Sequence, residues 1–214
     1  MILYSDDTSP YCAPVRAAIY AKGLAIPIEA PPGGFKSEEH RRVTGTGTIP
    51  CLMLDDGSPL PESAAILAYL DEKFPERPLR PADPEGRARV ILLSRLGEGG
   101  LIVPIVQFFH DMTAGAPNAG PKALEGMTLG LERLERFIAP AGYACGPDFT
   151  QADCVIAPAL FGVKAFSGMM GAPDLMARFP KVAGYGERAA AHPAIAKVLA
   201  ELQAALAASG TALG

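Results

Sequence analysis

The chain has 214 residues, 49% of them hydrophobic, and a formal net charge of −4 at pH 7. This length allows one large domain or two small ones with a real core. The acidic balance argues against nucleic-acid or phosphoinositide partners, which require a basic surface. The sequence contains no run of about 18 consecutive apolar residues, so it predicts no membrane span. Because no basic segment followed by an apolar core marks the N-terminus, we predict a cytoplasmic protein.

The four cysteines and three histidines lack the spacing of a metal site. No Cys-x-x-Cys pair occurs, and no cysteine pair is placed with a histidine pair as in zinc sites. We therefore expect free thiols rather than disulfides in a reducing compartment, and no bound metal. Cys51, Cys145 and Cys154 are interpreted as small buried hydrophobic residues.

The first third of the chain predicts a small mixed α/β unit. A short apolar strand at residues 2–4 precedes a helix at residues 12–22, which Gly23 ends. Residues 26–30 predict a second strand near a sheet edge, because Pro27 has no N–H to donate. The elements that follow are a strand at 51–54, a hairpin turn at 55–58, a return strand ending at 60–61 and a helix beginning at Ser63.

A proline-rich segment separates this unit from the rest of the chain. Prolines at positions 75, 78, 81 and 84 interrupt any helix or central strand there, so we predict a linker at residues 77–84. A mixed α/β unit followed by an all-helical one indicates two domains, which we place at residues 1–76 and 85–214. Helical patterns in the second domain cover residues 85–112, 122–138, 150–166 and 180–208.

The first motif with chemical content is Thr-Ile-Pro at residues 48–50, immediately before a predicted strand. Proline is suited to the first position of a strand or to a turn. Its peptide bond is trans by default, but a cis bond is possible. In the cis case the backbone N–H and C=O of Ile49 would face outward and pair with a peptide-like ligand as an added strand does.

The second motif is Leu-Pro-Glu-Ser at residues 60–63, at the start of a predicted helix. A helix N-terminus offers unpaired N–H groups and partial positive charge to a carboxylate, and the Ser63 hydroxyl adds a donor. Glu62 supplies the anion that an α-amino group requires. The pair therefore suits the zwitterionic end of an amino acid. The alternative is that Ser63 is only an N-cap.

The third motif is Ser-Pro-Tyr-Cys at residues 9–12, between the first strand and the first helix. Ser9 and Cys12 lie near a helix N-terminus, a position that stabilises an adjacent thiolate. The alternative interpretation is a capping segment.

These three motifs, with Arg16 and the segment 148–153, resemble the cytosolic glutathione S-transferase family in order and spacing. The resemblance covers the whole chain, and its N-terminal motif is similar to serine-type, zeta-like or omega-like members. It implies a thioredoxin-like α/β domain followed by an all-α helical bundle that forms most of the pocket for a small apolar electrophile. It also implies glutathione as co-substrate, no metal, a homodimer and a role in detoxification.

The resemblance implies glutathione contacts residue by residue. Pro50 is expected to be cis, with the Ile49 backbone paired to glutathione. Glu62 and Ser63 are expected to hold the γ-glutamyl end. Lys36 is expected to contact the glycine carboxylate, although a solvated lysine is an equally good interpretation.

Ser9 matches the position from which serine-type members activate the glutathione sulfur, so we predict Ser9 as the catalytic residue. Two alternatives stay open. Cys12 is one helical turn away and would make the protein a thiol transferase or deglutathionylating enzyme. A non-catalytic glutathione-binding scaffold is the other alternative. A zeta-type isomerase is a variant of the first hypothesis, disfavoured because its members commonly begin this motif with Ser-Ser-Cys.

The resemblance places the helix after the linker beside the glutathione sulfur, as an apolar wall. Helical spacing cannot put all of its large apolar residues on one face, so some belong to the core. Pro104 is expected to kink this helix. The residues concerned are Ile102, Val106, Phe108, Phe109 and Met112.

Thr150 and Asp153 have capping-box spacing at the start of a later helix. We interpret this pair as structural and exclude it from the site.

Overall fold

The computed structural model describes residues 1–209 and divides the chain between Pro78 and Leu79 into two compact units. The division falls within the segment 77–84 that the sequence predicts as a linker. The last five residues of the predicted second domain lie outside the described residues.

The N-terminal unit contains a four-stranded sheet in the order β2-β1-β3-β4. β1 pairs in parallel with β2 and antiparallel with β3, and β3 pairs antiparallel with β4. The predicted edge position of the strand at residues 26–30 is correct, because within residues 1–209 β2 pairs with β1 alone. The strands are β1 (Ile2–Tyr4), β2 (Ile28–Glu29), β3 (Cys51–Met53) and β4 (Pro59–Pro61).

Three helices accompany the sheet: α1 (Cys12–Lys22), α2 (Glu38–Thr44) and α3 (Ser63–Lys73). α1 ends at Gly23, whose φ of 66° is the left-handed conformation that glycine adopts without steric cost. α1 and α3 pack against each other and bury large apolar side chains. The ends of these two helices are joined by a buried ion pair, in which Lys22 Nζ lies 3.0 Å from Asp71 Oδ1.

The predicted elements do not include α2, although a helix signal is present. Ser37 caps the helix by accepting a hydrogen bond from the His40 N–H, and Glu38 and Glu39 occupy the first turn. A serine followed by acidic residues is a typical helix start. At only seven residues, α2 is too short to show a clear apolar periodicity.

The second unit is helical. Its α-helices are α4 (Pro84–Gly97), α5 (Val103–Thr113), α6 (Ala119–Phe137), α7 (Gln151–Phe166), α8 (Pro180–Ala190) and α9 (Pro193–Ala208). The prediction of one helix over residues 180–208 is wrong, because α8 ends at Ala190 and a separate helix, α9, begins at Pro193. Proline cannot continue a helix but is well suited to its first turn. His192 Nδ1 caps α9 by accepting the Ala194 N–H at 3.3 Å.

α4 and α5 are joined by a π-helical turn, Glu98–Ile102, which ends two residues before Pro104, where the sequence predicts a kink. A proline ring clashes with the carbonyl four residues earlier, which here belongs to Gly100, and a wider turn relieves that clash. Gly100 also packs directly on α6. A Cβ on Gly100 would lie 2.6 Å from Gly130 Cα, so this approach requires glycine.

The continuous helical run Pro84–Thr113 passes the length and composition test for a membrane span, with a mean hydropathy of 1.5 over its most apolar 18 residues. Charged and polar residues interrupt this run, so a pattern of consecutive apolar residues does not reveal it. The run packs against α6 and α7. Buried core helices of water-soluble proteins pass the same test, so length and composition alone do not distinguish the two cases.

Candidate functional site

Sheet pairing brings the three sequence motifs to one end of the N-terminal sheet. In the register, Tyr4 at the end of β1 lies opposite Cys51 at the start of β3, and Cys51 lies opposite Pro61 at the end of β4. The loop to residues 9–12 therefore leaves the sheet where residues 48–50 enter it and where Glu62 and Ser63 follow it. Residues 9–12 are distant in sequence from the other two motifs, and the sheet brings all three to the same end.

The peptide bond between Ile49 and Pro50 is cis, as the resemblance implies. Pro50 is buried directly before β3, where its missing N–H costs no ladder hydrogen bond. Within residues 1–209, the backbone N–H and C=O of Ile49 form no hydrogen bond. Both groups are therefore free to pair with an extended peptide.

Within the described part of the chain, no side chain caps the start of α3. Its N-cap residue is Glu62, and Ser63 is the first helical residue, so the interpretation of Ser63 as an N-cap is wrong. Glu62 has φ 71° and ψ 115° and an exposed side chain. Such backbone angles are costly for a residue with a Cβ, and they cluster at functional sites. The start of α3 thus combines open N–H donors with an adjacent carboxylate.

Ser9 is half-buried one turn before α1. Its Oγ accepts a hydrogen bond from the Cys12 N–H at 3.3 Å. This contact supports the interpretation of residues 9–12 as a capping segment. A hydroxyl that accepts one bond still has its own proton to donate. Ser9 therefore holds the start of α1 through its oxygen, while its one proton can be donated either to the Cys12 sulfur or to a neighbouring thiolate, but not to both at once.

Cys12 is fully buried on α1. Burial raises the pKa of its thiol, and hydrogen bonding from Ser9 opposes that rise only in part. Reactive cysteines require the opposite, an accessible sulfur with a lowered pKa. The surroundings of Cys12 favour an inert, protonated thiol.

The remaining cysteines are also free thiols. Cys51 and Cys154 are buried as predicted, whereas Cys145 is half-buried. Burial raises the pKa of Cys51 to about 11. Among residues 1–209, no three histidine, cysteine, aspartate or glutamate side chains come together as a metal site requires.

Lys36 lies in the turn before α2 with an exposed side chain and a φ of 61°. Its Nζ is 5.2 Å from the centre of the Phe35 ring and forms no ion pair within the described part of the chain. The backbone N–H of Lys36 donates to Nδ1 of His40 at 3.1 Å. The lysine charge is thus available to an anion, while its backbone is fixed by a residue that the sequence analysis did not select.

The large apolar residues predicted around α5 divide between core and surface. Ile102 and Phe108 are buried, and Val106 and Phe109 are half-buried. Phe109 makes an edge contact with Phe166, with ring centres 4.9 Å apart. The side chain of Met112 is 48% exposed.

The start of α7 contains the predicted capping box. Asp153 Oδ2 accepts bonds from Thr150 N at 2.7 Å and Thr150 Oγ1 at 2.9 Å, and Oδ1 accepts from Ala144 N at 2.8 Å. Burial raises the pKa of Asp153, and these hydrogen bonds oppose the rise. Every contact is internal, so excluding this pair from the site is consistent with the structure.

A mixed sheet with a cis-proline turn, followed by an all-helical unit, defines a thioredoxin-like domain joined to a helical bundle. The family model for the glutathione S-transferase N-terminal domain matches residues 3–78, and the model for the C-terminal domain matches residues 117–188. The chain belongs to the glutathione S-transferase family, as the sequence motifs predicted.

Relatives in this family have several names. The chain is 33% identical over 164 residues to a stringent starvation protein A homolog of Coxiella burnetii, covering 75% of each protein. It is 33% identical over 172 residues to the maleylacetoacetate isomerase of Rattus norvegicus, covering 77% of this chain and 79% of the relative. A crystal structure of maleylacetoacetate isomerase from Methylobacterium extorquens AM1, with bound malonate and glutathione, has a TM-score of 0.76 at 28% identity and covers 95% of this chain and 98% of that one.

Proposed function

We propose that the protein binds glutathione in its N-terminal unit and transfers the glutathione thiolate to a small apolar electrophile, with Ser9 stabilising the thiolate. The observation that carries this proposal is the convergence of the three motifs at one end of the sheet. Each motif offers a different chemical group, and together they match the parts of one tripeptide.

The contacts follow from the chemistry of each end of the ligand. The backbone of Ile49 pairs with the cysteinyl residue of glutathione as a neighbouring strand would. The open N-terminus of α3 and the Ser63 hydroxyl receive the γ-glutamyl carboxylate, and Glu62 receives the ammonium. Lys36 contributes its charge to the glycine carboxylate. The glutathione bound to the 28% identical isomerase supports the choice of ligand.

One hydroxyl near a helix start is sufficient for the sulfur chemistry. Lowering a thiol pKa by about two units requires roughly 2.7 kcal/mol. A hydrogen bond to a charged sulfur contributes about 1.5–3 kcal/mol. The helix N-terminus adds about 0.3–1 kcal/mol. Ser9 therefore needs no histidine base beside it.

The cysteine-dependent alternative is disfavoured by the burial of Cys12 and its raised pKa. A thiol transferase that used this residue would have to expose the sulfur during turnover. Of the two candidate catalytic residues, Ser9 and Cys12, only Ser9 is partly accessible.

Isomerisation is the second candidate function, and the names of the isomerase relatives favour it. The two reactions differ in how they treat glutathione, because conjugation consumes it and glutathione-dependent isomerisation returns it. Incubation with maleylacetoacetate and glutathione distinguishes them, since loss of free thiol indicates conjugation and product formation at constant thiol indicates isomerisation.

A scaffold without catalysis is the third candidate, because the name of the relatives called stringent starvation protein A homolog states no catalytic activity. A protein that binds glutathione but fails to convert any of a panel of electrophiles and cis-dicarboxylic acids would favour it. We also propose a homodimer, on family membership alone. Sedimentation giving a mass near the 22.3 kDa of one chain would contradict it.

Calorimetric titration with glutathione tests the proposed site. The wild-type protein should bind at millimolar concentration or below, and Glu62→Ala should weaken binding at least tenfold, about 1.4 kcal/mol, because the ligand ammonium loses its counter-ion. Lys36→Ala should have a smaller effect, because its exposed side chain provides only a screened attraction. No binding to the wild-type protein, or equal effects of both substitutions, would contradict the assigned contacts.

A further inference from the structure

A series of hydrogen bonds runs along α2 and connects two of the segments assigned to glutathione. At its first end, His40 Nδ1 accepts the Lys36 N–H at 3.1 Å, and the His40 side chain is completely buried. Lys36 has a positive φ, which costs energy for a residue with a Cβ, and this hydrogen bond opposes that cost. The ring of His40 therefore fixes the turn that presents Lys36.

At its second end, this series of hydrogen bonds reaches the turn before the cis-proline. Thr44 Oγ1 donates to the His40 carbonyl at 2.7 Å and accepts the Gly47 N–H at 2.9 Å. Gly47 has a φ of 66°, and a Cβ there would lie 2.6 Å from Arg41 Cγ. Residues 48–50 follow this turn directly. α2 thus holds both the Lys36 turn and the entry to Ile49 through one set of hydrogen bonds.

We propose that His40 is a positioning residue for glutathione, whose neutral ring holds the Lys36 turn beside the Ile49 segment and whose protonation releases Lys36. This inference rests on the proposed function, because Lys36 and Ile49 are assigned there as ligand contacts. The neutral ring is required because an Nδ1 that accepts a hydrogen bond carries no proton of its own. Protonation at Nδ1 converts this acceptor into a donor facing another N–H donor.

The surroundings of His40 favour the neutral form. Burial lowers the pKa of the ring and the charge of Arg41 lowers it further, while the Thr48 carbonyl favours the charged form. Among the described residues 1–209, no group forms a hydrogen bond of normal geometry with the buried Nε2. Of the neighbouring elements, the preceding turn contributes the charged Lys36, and the three residues of β4, which packs on α2, contain no titratable group.

The pH dependence follows from the lowered pKa. Affinity should be complete at pH values above the lowered pKa of His40, where the ring is neutral, and should fall as the pH drops through that pKa. S-methylglutathione is the suitable probe, because its sulfur has no proton to lose. Its carboxylates, with pKa values of about 3.5, stay ionised above pH 5.

Calorimetric titrations of S-methylglutathione between pH 5 and 7 test the proposal on the full chain. We expect wild-type affinity to weaken as the pH is lowered from 7 to 5, by at most about fivefold, the effect of losing one hydrogen bond completely. His40→Asn places a non-titrating oxygen near the Nδ1 position, so it should bind within about twofold of wild type at pH 7 and lose this pH dependence. His40→Phe, which keeps volume without an acceptor, should bind about fivefold more weakly at both pH values.

His192→Asn is the matched control. His192 also accepts a backbone N–H through Nδ1 and also has a pKa lowered by burial, but it caps α9 in the second unit. It should retain the wild-type pH dependence of binding. Identical pH dependence in wild type and His40→Asn, or full affinity in a folded His40→Phe, would overturn the proposal.

The Lys36 amide gives a readout that needs no ligand. Its N–H resonance should titrate with the His40 ring in wild-type protein and should not titrate in His40→Asn. A titrating Lys36 amide in a protein that binds no S-methylglutathione would contradict the proposed function and leave the His40–Lys36 switch standing. Binding without any titration of this amide would contradict the switch alone.

Discussion

Two helix starts in this molecule are built in opposite ways. At the start of α7, Thr150 and Asp153 form a capping box, and Asp153 accepts three internal hydrogen bonds while fully buried. At the start of α3, Glu62 caps nothing with its side chain, holds a costly backbone conformation and is exposed. Both helix starts carry an acidic side chain, but within residues 1–209 only Asp153 accepts hydrogen bonds from its own helix start.

The difference separates a structural helix start from one that is open to a ligand. A helix N-terminus whose donors are already satisfied stabilises the fold and has nothing to offer an anion. A start that leaves its donors open and tolerates backbone strain forgoes stability that a cap would provide. The comparison predicts that substitutions at α7 lower stability, whereas substitutions at α3 lower binding.

Asp153→Ala should give the largest effect. It leaves the Ala144 and Thr150 N–H groups buried without an acceptor, so we expect a loss of about 3 kcal/mol in the free energy of unfolding, measured with urea. Asp148→Ala, an exposed neighbour, should change stability by less than about 0.5 kcal/mol. Glutathione affinity of the folded Asp153 variant should stay within about twofold of wild type, and a large loss of affinity with intact stability would break the comparison.

Glu62→Gly should produce the opposite pattern. Glycine adopts the backbone angles of residue 62 more readily, so the free energy of unfolding should rise by about 0.5–1 kcal/mol. Glutathione affinity should fall at least tenfold, about 1.4 kcal/mol, because the counter-ion of the ligand ammonium is lost. Thermal unfolding and calorimetric titration measure the two quantities. A variant that loses stability and keeps affinity would assign Glu62 to the fold.

The serine and threonine at the two helix starts should show smaller effects of the same kind. Thr150→Ala should lower stability by about 1–2 kcal/mol, the usual cost of losing a cap, with affinity unchanged. Ser63→Ala should leave stability within about 0.5 kcal/mol and weaken glutathione about fivefold through the loss of one hydrogen bond. Equal destabilisation by both substitutions would mean that Ser63 supports α3 after all.

Much of this contrast was predictable because it is encoded locally. The Thr150–Asp153 spacing is itself the capping box, and the elements α1, α3, β3 and β4 follow from short patterns of apolar, glycine and proline residues. The motifs at residues 48–50 and 60–63 also carry enough chemistry to suggest an amino-acid ligand before any fold is known.

What the sequence did not reveal depends on packing or on neighbours distant in the chain. The role of Ser63 as first helical residue rather than cap depends on the backbone angles of Glu62, which no residue pattern encodes. The close approach of Gly100 in the π-turn to Gly130 on α6 joins residues that are distant in the sequence, so no local pattern reveals it. His40 was missed because its partner is a backbone N–H and its burial comes from tertiary packing, neither of which appears in residue spacing.

The most direct test of the account is the pH at which bound glutathione ionises, followed by the ultraviolet absorbance of its thiolate in wild type, Ser9→Ala and Cys12→Ser. If the Ser9 hydroxyl stabilises the thiolate, Ser9→Ala should raise that pH by about one to two units, with conjugation of an aromatic halide reduced about 10- to 100-fold. Glutathione affinity should barely change, and Cys12→Ser should match wild type. Loss of turnover in Cys12→Ser together with an unaffected Ser9→Ala would assign the chemistry to the cysteine and contradict the account.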